Sequence, residues 1–308
     1  EICEELGNIE EIRQAFLDEN PTAMTINVNS NSDAVGNSDI YNRFYPGIQR
    51  VNAQLTDADI EIKKSNTNEV ELSVTGGLAD DMEALKETLR VSASVGTLSI
   101  QQEKKAGISV SYAASRLFGL KVGKYSAGIV IHIAVPEQFE KIKVKSISGD
   151  IKANNSNAKT LLIHTGSGDV GVEDCQADEL FASSISGDVN VIACKADKMD
   201  VVSISGDIKA EFDKSAQCRA KSTSGDCKVT IGNQVDAVVS STSGDVNVRY
   251  IGEIGLEMVL SSTSGDVSAV CGGINSKGKK KVQERFGEPD SKLKASTISG
   301  AVSYTHLR

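Results

Sequence analysis

Apolar and polar residues alternate in a pattern that restarts every 19 residues between Asp150 and Asp245. Directly after each recurring aspartate stand Ile151, Val170, Val189, Ile208, Cys227, Val246 and Val267. Two residues on come Ala153, Val172, Val191, Ala210, Val229, Val248 and Ala269. A second apolar pair follows at offsets 11 and 13, for example Leu161 with Ile163, Leu180 with Ala182 and Met199 with Val201. Two short period-2 runs per repeat predict two strands per repeat, each with one buried face. The residues between, Lys152, Asn190, Lys209, Lys228 and Asn247, are polar and are placed on the outside.

A Ser-x-Ser-Gly-Asp motif followed by Ile or Val punctuates the pattern, with Asp150, Asp169, Asp188, Asp207, Asp226 and Asp245 spaced by 19. Asp266 follows after 21 residues, and a last copy after 35 carries Ala301 in the Asp place. The motif glycines are Gly149, Gly168, Gly187, Gly206, Gly225, Gly244, Gly265 and Gly300. A repeat this short cannot enclose a core alone, so neighbouring copies must stack and bury a shared apolar column. No crossover helix fits within the unit. The expected fold is all-β: a right-handed parallel β-solenoid, its hand taken from the strong bias of parallel connections.

Upstream the phase continues through Ile60, Ile62, Val70 and Leu72, then Leu98, Ile100, Ile108 and Val110, then Ile129 to Ile133. The solenoid is therefore expected over residues 59–308, with regular coils over 146–270 and a basic insertion over 272–292. Residues 79–89 read as a helical insertion. Residues 1–20 read as the remnant of an α-helical domain, and 21–58 as a cap and linker containing the strand-like Met24–Val28. Both ends look cut, and residues 302–308 are set apart because they resemble translated sequencing-adapter read-through; His306 is given no role.

Composition narrows the function classes. A net charge of −9 lacks the basic footprint of a nucleic-acid binder. Aromatics at 4% with no Trp suit a thin core of Ala, Val and Cys. No run of 18 apolar residues is present, so no segment reads as membrane-spanning. Six cysteines without a Cys-x-x-Cys pair, and three dispersed histidines, do not read as a zinc site. No cofactor is expected.

Seven aspartates at one offset, Asp266 included, would form a ladder with neighbours about 5 Å apart, and like charges repel there by about 1 kcal/mol in water. Two arrangements relieve this: a local turn whose N–H and hydroxyl groups bind each carboxylate while Gly supplies positive φ, or a cation shared along the ladder. The two flanking serines of each motif read as inward hydroxyl ladders, since no His or Lys recurs to activate them. Cys175 and Cys194 share one offset in adjacent repeats, within reach of a disulfide, and otherwise read as small buried hydrophobes like Cys218 and Cys227. Lys277, Lys279, Lys280, Lys281 and Arg285 read as a protruding hairpin that meets an anionic partner or is a solvated loop. No paired carboxylates, phosphate loop or nucleophilic triad emerges.

The repeats, with the lead-in His132-Ile133-Ala134-Val135-Pro136, resemble a bacterial β-strand-repeat family of unknown function labelled putative adhesin, over residues 47 to 301. The resemblance implies a β-helical, envelope-associated module without known catalytic residues. Residues 1–18, Glu1 to Ile12 above all, resemble the final helices of a small Firmicutes signalling domain. With no membrane helix at the Asn20-Pro21 join, that implies a cytoplasmic or membrane-peripheral protein rather than a cell-surface one.

The combined expectation is a non-enzymatic interaction or scaffold module in envelope sensing or signalling, with a protein partner or self-association through open solenoid ends. Peripheral contact with the envelope is compatible with it. The alternative is a cell-surface adhesin for a polysaccharide or host surface. A pectin-degrading β-helix enzyme would need a cluster of acids or bases on one face, and the outward offsets carry none.

Overall fold

The computed structural model describes residues 41–76, 88–102, 129–212, 217–232, 234–252, 255–271 and 274–306. These residues form 25 strands in two sheets of 13 and 12, and no helical element. The expected helix near 79–89 falls outside them apart from Thr88 and Leu89, and Leu89 opens a strand. Residues 1–20, Met24–Val28 and Ile108–Val110 also lie outside the described residues.

Each regular coil contributes one strand to each sheet. The strand after the aspartate, such as Val170–Glu173 or Val189–Ile192, joins the 13-stranded sheet. The strand before the next motif, such as Gln176–Ser184 or Lys195–Ser203, joins the 12-stranded sheet. Parallel pairing matches each residue with the one 19 positions on, as in Val170↔Val189 and Leu161↔Leu180. Period-2 burial follows, so Val170, Val172, Leu180 and Ala182 meet across a thin interior. The fold is an all-β solenoid.

Two corners join the strands. The Ser-Gly-Asp corner is described below. At the opposite corner Asn155, Asp174 and Ala193, again 19 apart, hold φ of 50°, 53° and 54°. Asn and Asp tolerate this left-handed region better than Ala does.

The order of coils in space departs from their order in the chain. Strands Arg50–Leu55 and Asp59–Lys64 form one coil, so the repeat takes in residues that sequence reading assigned to the cap. This first coil lies between strands Thr97–Gln102 and Ile129–Val135 on one side and the coil built from Phe139–Ser146 and Ile151–Asn154 on the other. At the far end, Ser291–Thr297 and Val302–His306 insert between the coil of Asp236–Ser241 and Val246–Tyr250 and that of Leu256–Ser262 and Val267–Cys271. The chain therefore skips one layer after Tyr250, which accounts for the 21-residue step to Asp266.

Antiparallel strands cover both ends. Val70–Gly76, expected to continue the coil in phase, instead runs antiparallel between Tyr41–Tyr45 and Ile129–Val135. Leu89–Ser94 pairs antiparallel with Thr97–Gln102 through a turn at Val95-Gly96, where φ is 45° and 72°. Two consecutive positive φ values define the turn that favours Asn-Gly, and Val95 is 92% exposed. Val95→Asn is expected to add about 1 kcal/mol by removing the strain of a β-branched residue there. A urea midpoint that fails to rise would contradict that turn.

Candidate functional site

The motif corner is a hydrogen-bonded column that runs through successive coils. Each first hydroxyl residue, from Ser146 and Thr165 to Ser241 and Thr297, is buried. Ser203 Oγ accepts from Gly206 N at 2.9 Å within its own motif and donates to Gly187 O of the preceding coil at 3.1 Å. Thr165 makes the same pair with Gly168 N at 3.2 Å and Gly149 O at 2.9 Å. The second serine of each motif, Ser148 to Ser243, is exposed, which corrects the expectation of two inward ladders. Where the x of the motif is apolar, at Ile147, Ile185, Ile204 and Ile298, it is exposed too.

Replacing Ser203 by Ala leaves a buried N–H and a buried carbonyl without partners, at a cost of about 2 kcal/mol. Ser203→Thr is expected to be nearly neutral, because Thr165 and Thr297 serve in the same place. Denaturant midpoints of the two variants check this, and equal losses would contradict the hydroxyl's double role.

The aspartates do stand in a ladder, and the backbone relieves it. Oδ1 of Asp59, Asp150, Asp169, Asp188 and Asp207 accepts the backbone N–H of the next aspartate at 2.8 Å, and Asp226 does the same at 2.7 Å. Asp245 serves Ala301 N at 2.7 Å. Each carboxylate is thus bound by a fixed donor while its free oxygen stays exposed to water. Among the described residues no group of three or more metal-type ligands converges.

None of the motif glycines has positive φ; the described glycines that do are Gly47, Gly96, Gly278 and Gly287. The requirement is close approach instead. A Cβ on Gly168, Gly187, Gly206, Gly225 or Gly244 would lie 2.0–2.2 Å from the carbonyl oxygen of the preceding coil's glycine. One corner lacks both hydroxyl and glycine. Leu55 pairs with Ser146, and Ala58 carries the carbonyl against which Gly149 packs. Being first in the column, this corner needs neither.

The column has polarity, and its two ends are closed differently. At the first corner Gln102 Oε1 accepts from Thr56 N, Asp57 N and Ala58 N at 2.9, 3.1 and 3.2 Å. At the last corner Lys280 Nζ donates to Ser264 O at 3.0 Å and Gly265 O at 2.6 Å, 3.8 Å from Asp266 Oδ1. An acceptor meets the exposed N–H groups and a cation meets the exposed carbonyls, as at the two ends of a helix.

Lys280 belongs to the basic insertion, which does not protrude. Ile274–Lys279 pairs antiparallel with Val267–Cys271 in one sheet, and Lys281–Phe286 with Leu256–Ser262 in the other. Lys277, Lys279, Lys281 and Arg285 are exposed along these outermost strands. Cations there discourage further strand addition at an end that would otherwise invite it.

Cys175, Cys194, Cys218 and Cys227 are buried thiols without a disulfide. Burial pushes the Cys227 thiol up to about 12. Two arrangements escape sequence reading. Arg219 clamps Asp200 in the adjacent coil with both Nε and Nη2, at 2.9 and 3.0 Å. His132 bridges Thr75 Oγ1, 2.9 Å from Nε2, and Glu61 Oε2, 3.0 Å from Nδ1. This acid–imidazole–hydroxyl line lies on an outward sheet face, across three neighbouring strands. Its members are 71 positions apart at the extremes, and no spacing signals it.

The described surface also carries an open groove of about 470 Å³ at the corner opposite the motif. Its floor is the column Phe139, Ala158, Ala177, Ala196. One wall is Gln138, Asn157, Gln176, Lys195, and the other Lys159, Asp178, Asp197. Small residues repeat at one offset because each is the second residue of its strand and pairs in register with the next, with polar neighbours on either side. The 19-residue phase contains this signal: Ala158, Ala177 and Ala196 are legible as a column, although not as the floor of a groove.

No helix among the described residues is long and apolar enough to cross a membrane. No curated protein matches the chain in sequence. The architecture is similar to a crystal structure named a putative adhesin from Bacteroides fragilis, with 16% identity, TM-score 0.49, and 86% of this chain and 96% of that one covered. A Parabacteroides distasonis protein named a putative lipid binding protein has 16% identity and TM-score 0.46 over 87% of this chain and 96% of its own. A putative adhesin from Parabacteroides merdae has 13% identity and TM-score 0.39 over 87% and 96%. The Toastrack DUF4097 family matches residues 14–304, nearly the whole length of the coiled repeats and their caps, and the chain belongs to that family.

Proposed function

We infer that the protein is a non-enzymatic binding module whose contact surface is the groove of Ala158, Ala177 and Ala196, and that its ligand is an extended polysaccharide. One observation carries this reading: Ala158, Ala177 and Ala196 repeat from coil to coil along the groove, with polar side chains on both walls. Coil spacing of about 4.8 Å makes the surface a ruler. A ligand that itself repeats, with one hydroxyl-bearing unit after another, satisfies such a surface in every coil. Amide, carboxylate and ammonium side chains on the walls supply donors and acceptors, and the partly exposed Ala177 offers its methyl to the apolar face of a sugar ring. An interaction role in envelope sensing is compatible with this site, and rests on the short resemblance of residues 1–18.

Titration calorimetry with soluble cell-wall-type and plant-type glycans tests the reading. Ala177→Arg, which places a long side chain over a partly exposed floor position, is expected to weaken binding at least ~10-fold, a loss near 1.4 kcal/mol. Absence of any glycan affinity, or affinity unchanged by Ala177→Arg, would overturn it. A second reading follows from the exposed cations of the end cap: contact with an anionic envelope surface through Lys277, Lys279, Lys281 and Arg285. Cosedimentation with anionic vesicles that vanishes on charge reversal of these four residues would favour it.

A further inference from the structure

Cys175 and Cys194 are more than two buried small residues. They occupy one column with Ser156, each 19 residues from the next, just past the left-handed residues of their corner. The pairs Glu173↔Ile192 and Gln176↔Lys195 bracket them in strict register. Lys195 N donates to Cys175 O at 2.9 Å, locking the two corners one above the other. Adjacent parallel strands lie about 4.8 Å apart, inside the range of Cα separations that a disulfide spans.

The side chains point the same way. Cys175 Sγ lies 3.3 Å from Glu173 O and 3.5 Å from Ala153 O, and Cys194 Sγ lies 3.3 Å from Ile192 O and 3.5 Å from Val172 O. Ser156 Oγ lies 3.3 Å from Cys175 Sγ on the side away from Cys194. Each sulfur thus sits in the same orientation, against a carbonyl of its own corner and one of the preceding coil.

We propose that Cys175 and Cys194 form a peroxide-responsive thiol pair that closes to a disulfide between adjacent coils. One sulfur of the pair, as its thiolate, attacks one oxygen of hydrogen peroxide, the O–O bond breaks, and that cysteine becomes a sulfenic acid with release of hydroxide. The hydroxide takes the proton of the other thiol to form water. The second sulfur then attacks the sulfenic sulfur, the S–S bond forms, and the departing hydroxide is protonated to a second water. Two thiols are oxidised and one peroxide is reduced. Both sulfurs are buried, with exposures of 0% and 2%, so an oxidant must be small to reach them. Cys218 and Cys227 lie in different sheets and have no such neighbour.

The test treats the full folded chain with hydrogen peroxide, quenches it and counts thiols in denaturant. Wild type is expected to lose two thiols, to lose two hydrogens in mass, and to yield one peptide cross-linked between Cys175 and Cys194. Cys194→Ser is expected to fold, since Ser156 fills the same column, and to stop at a Cys175 sulfenic acid that dimedone traps. Cys175→Ser is expected to stop in the same way, at a Cys194 sulfenic acid. Retention of every thiol in wild type would overturn the proposal. So would a cross-link between two chains, or dimedone labelling of wild type as strong as that of Cys194→Ser.

Discussion

Gly206→Ala is expected to cost at least ~3 kcal/mol, and to leave the chain unfolded where the remaining stability is smaller. An added Cβ would sit 2.0 Å from Gly187 O and 2.4 Å from the carbonyl carbon behind it. Both atoms are backbone, and Gly187 O is already bound by Ser203 Oγ. The corner can relieve the overlap only by parting the two coils, which would stretch the Ser203 bonds and the bond from Asp207 N to Asp188 Oδ1 together. Gly171→Ala is the matched control: its Cβ would meet only Lys152 Cγ, at 3.8 Å, and a strand position gains from losing glycine's freedom, by about 0.5 kcal/mol. Urea unfolding of both variants decides the matter. Equal, small effects would mean that the coils are not as closely stacked as the corner geometry requires.

Acidification from pH 6.5 towards 4 is expected to withdraw up to about 3 kcal/mol through His164 alone. Burial, with the charge of Lys145 as a second cause, lowers its pKa from 6.5 to about 4. The imidazole is held neutral, with Nδ1 2.8 Å from Ser183 Oγ in the next coil. The sign follows from the depressed value. Above pH 6.5 both folded and unfolded chains carry neutral His164, and the full stabilisation is present. Between 6.5 and 4 the unfolded chain binds a proton that the folded chain refuses, so stability falls as pH falls. Below 4 both are protonated and the loss is complete. His164→Gln removes this titration while keeping a partner for Ser183, so its stability should change less between pH 6.5 and 4 than that of wild type. Parallel pH profiles for the two proteins would show that His164 is not the group responsible.

The regular coils were legible because burial repeats with the strand period. Val170, Val172, Leu180 and Ala182 announce their sheets by alternation alone, and the 19-residue step sets the parallel register. The motif residues were legible as a corner, but the role of glycine was misread. Positive φ and close approach both select glycine, and only the position of the neighbouring backbone distinguishes them. Ser148 was read as inward with Ser146 for a similar reason: within a corner, the period-2 rule that sorts strand side chains no longer holds.

The candidate groove was half legible. Its alanine column follows from the phase, whereas its concavity depends on how sharply the chain bends at Asn155, Asp174 and Ala193. Glu61, His132 and Thr75 meet because strands from three coils and caps lie side by side, a fact carried by no local spacing.

By itself the sequence determined the two-strand coil, its 19-residue register, the small-residue core and the serine–glycine–aspartate corner. These are local or nearest-neighbour properties, repeated often enough to be read. Tertiary structure alone decided the order of the coils, with Asp59 beneath Asp150 and Ser291–Thr297 inserted beside Asp236–Ser241. It also decided that Gln102 and Lys280 close the corner column. Every coil presents nearly the same edge to its neighbours, so pairing chemistry does not by itself choose which coil lies next. That choice is made by where the chain skips a layer and where antiparallel strands end the stack.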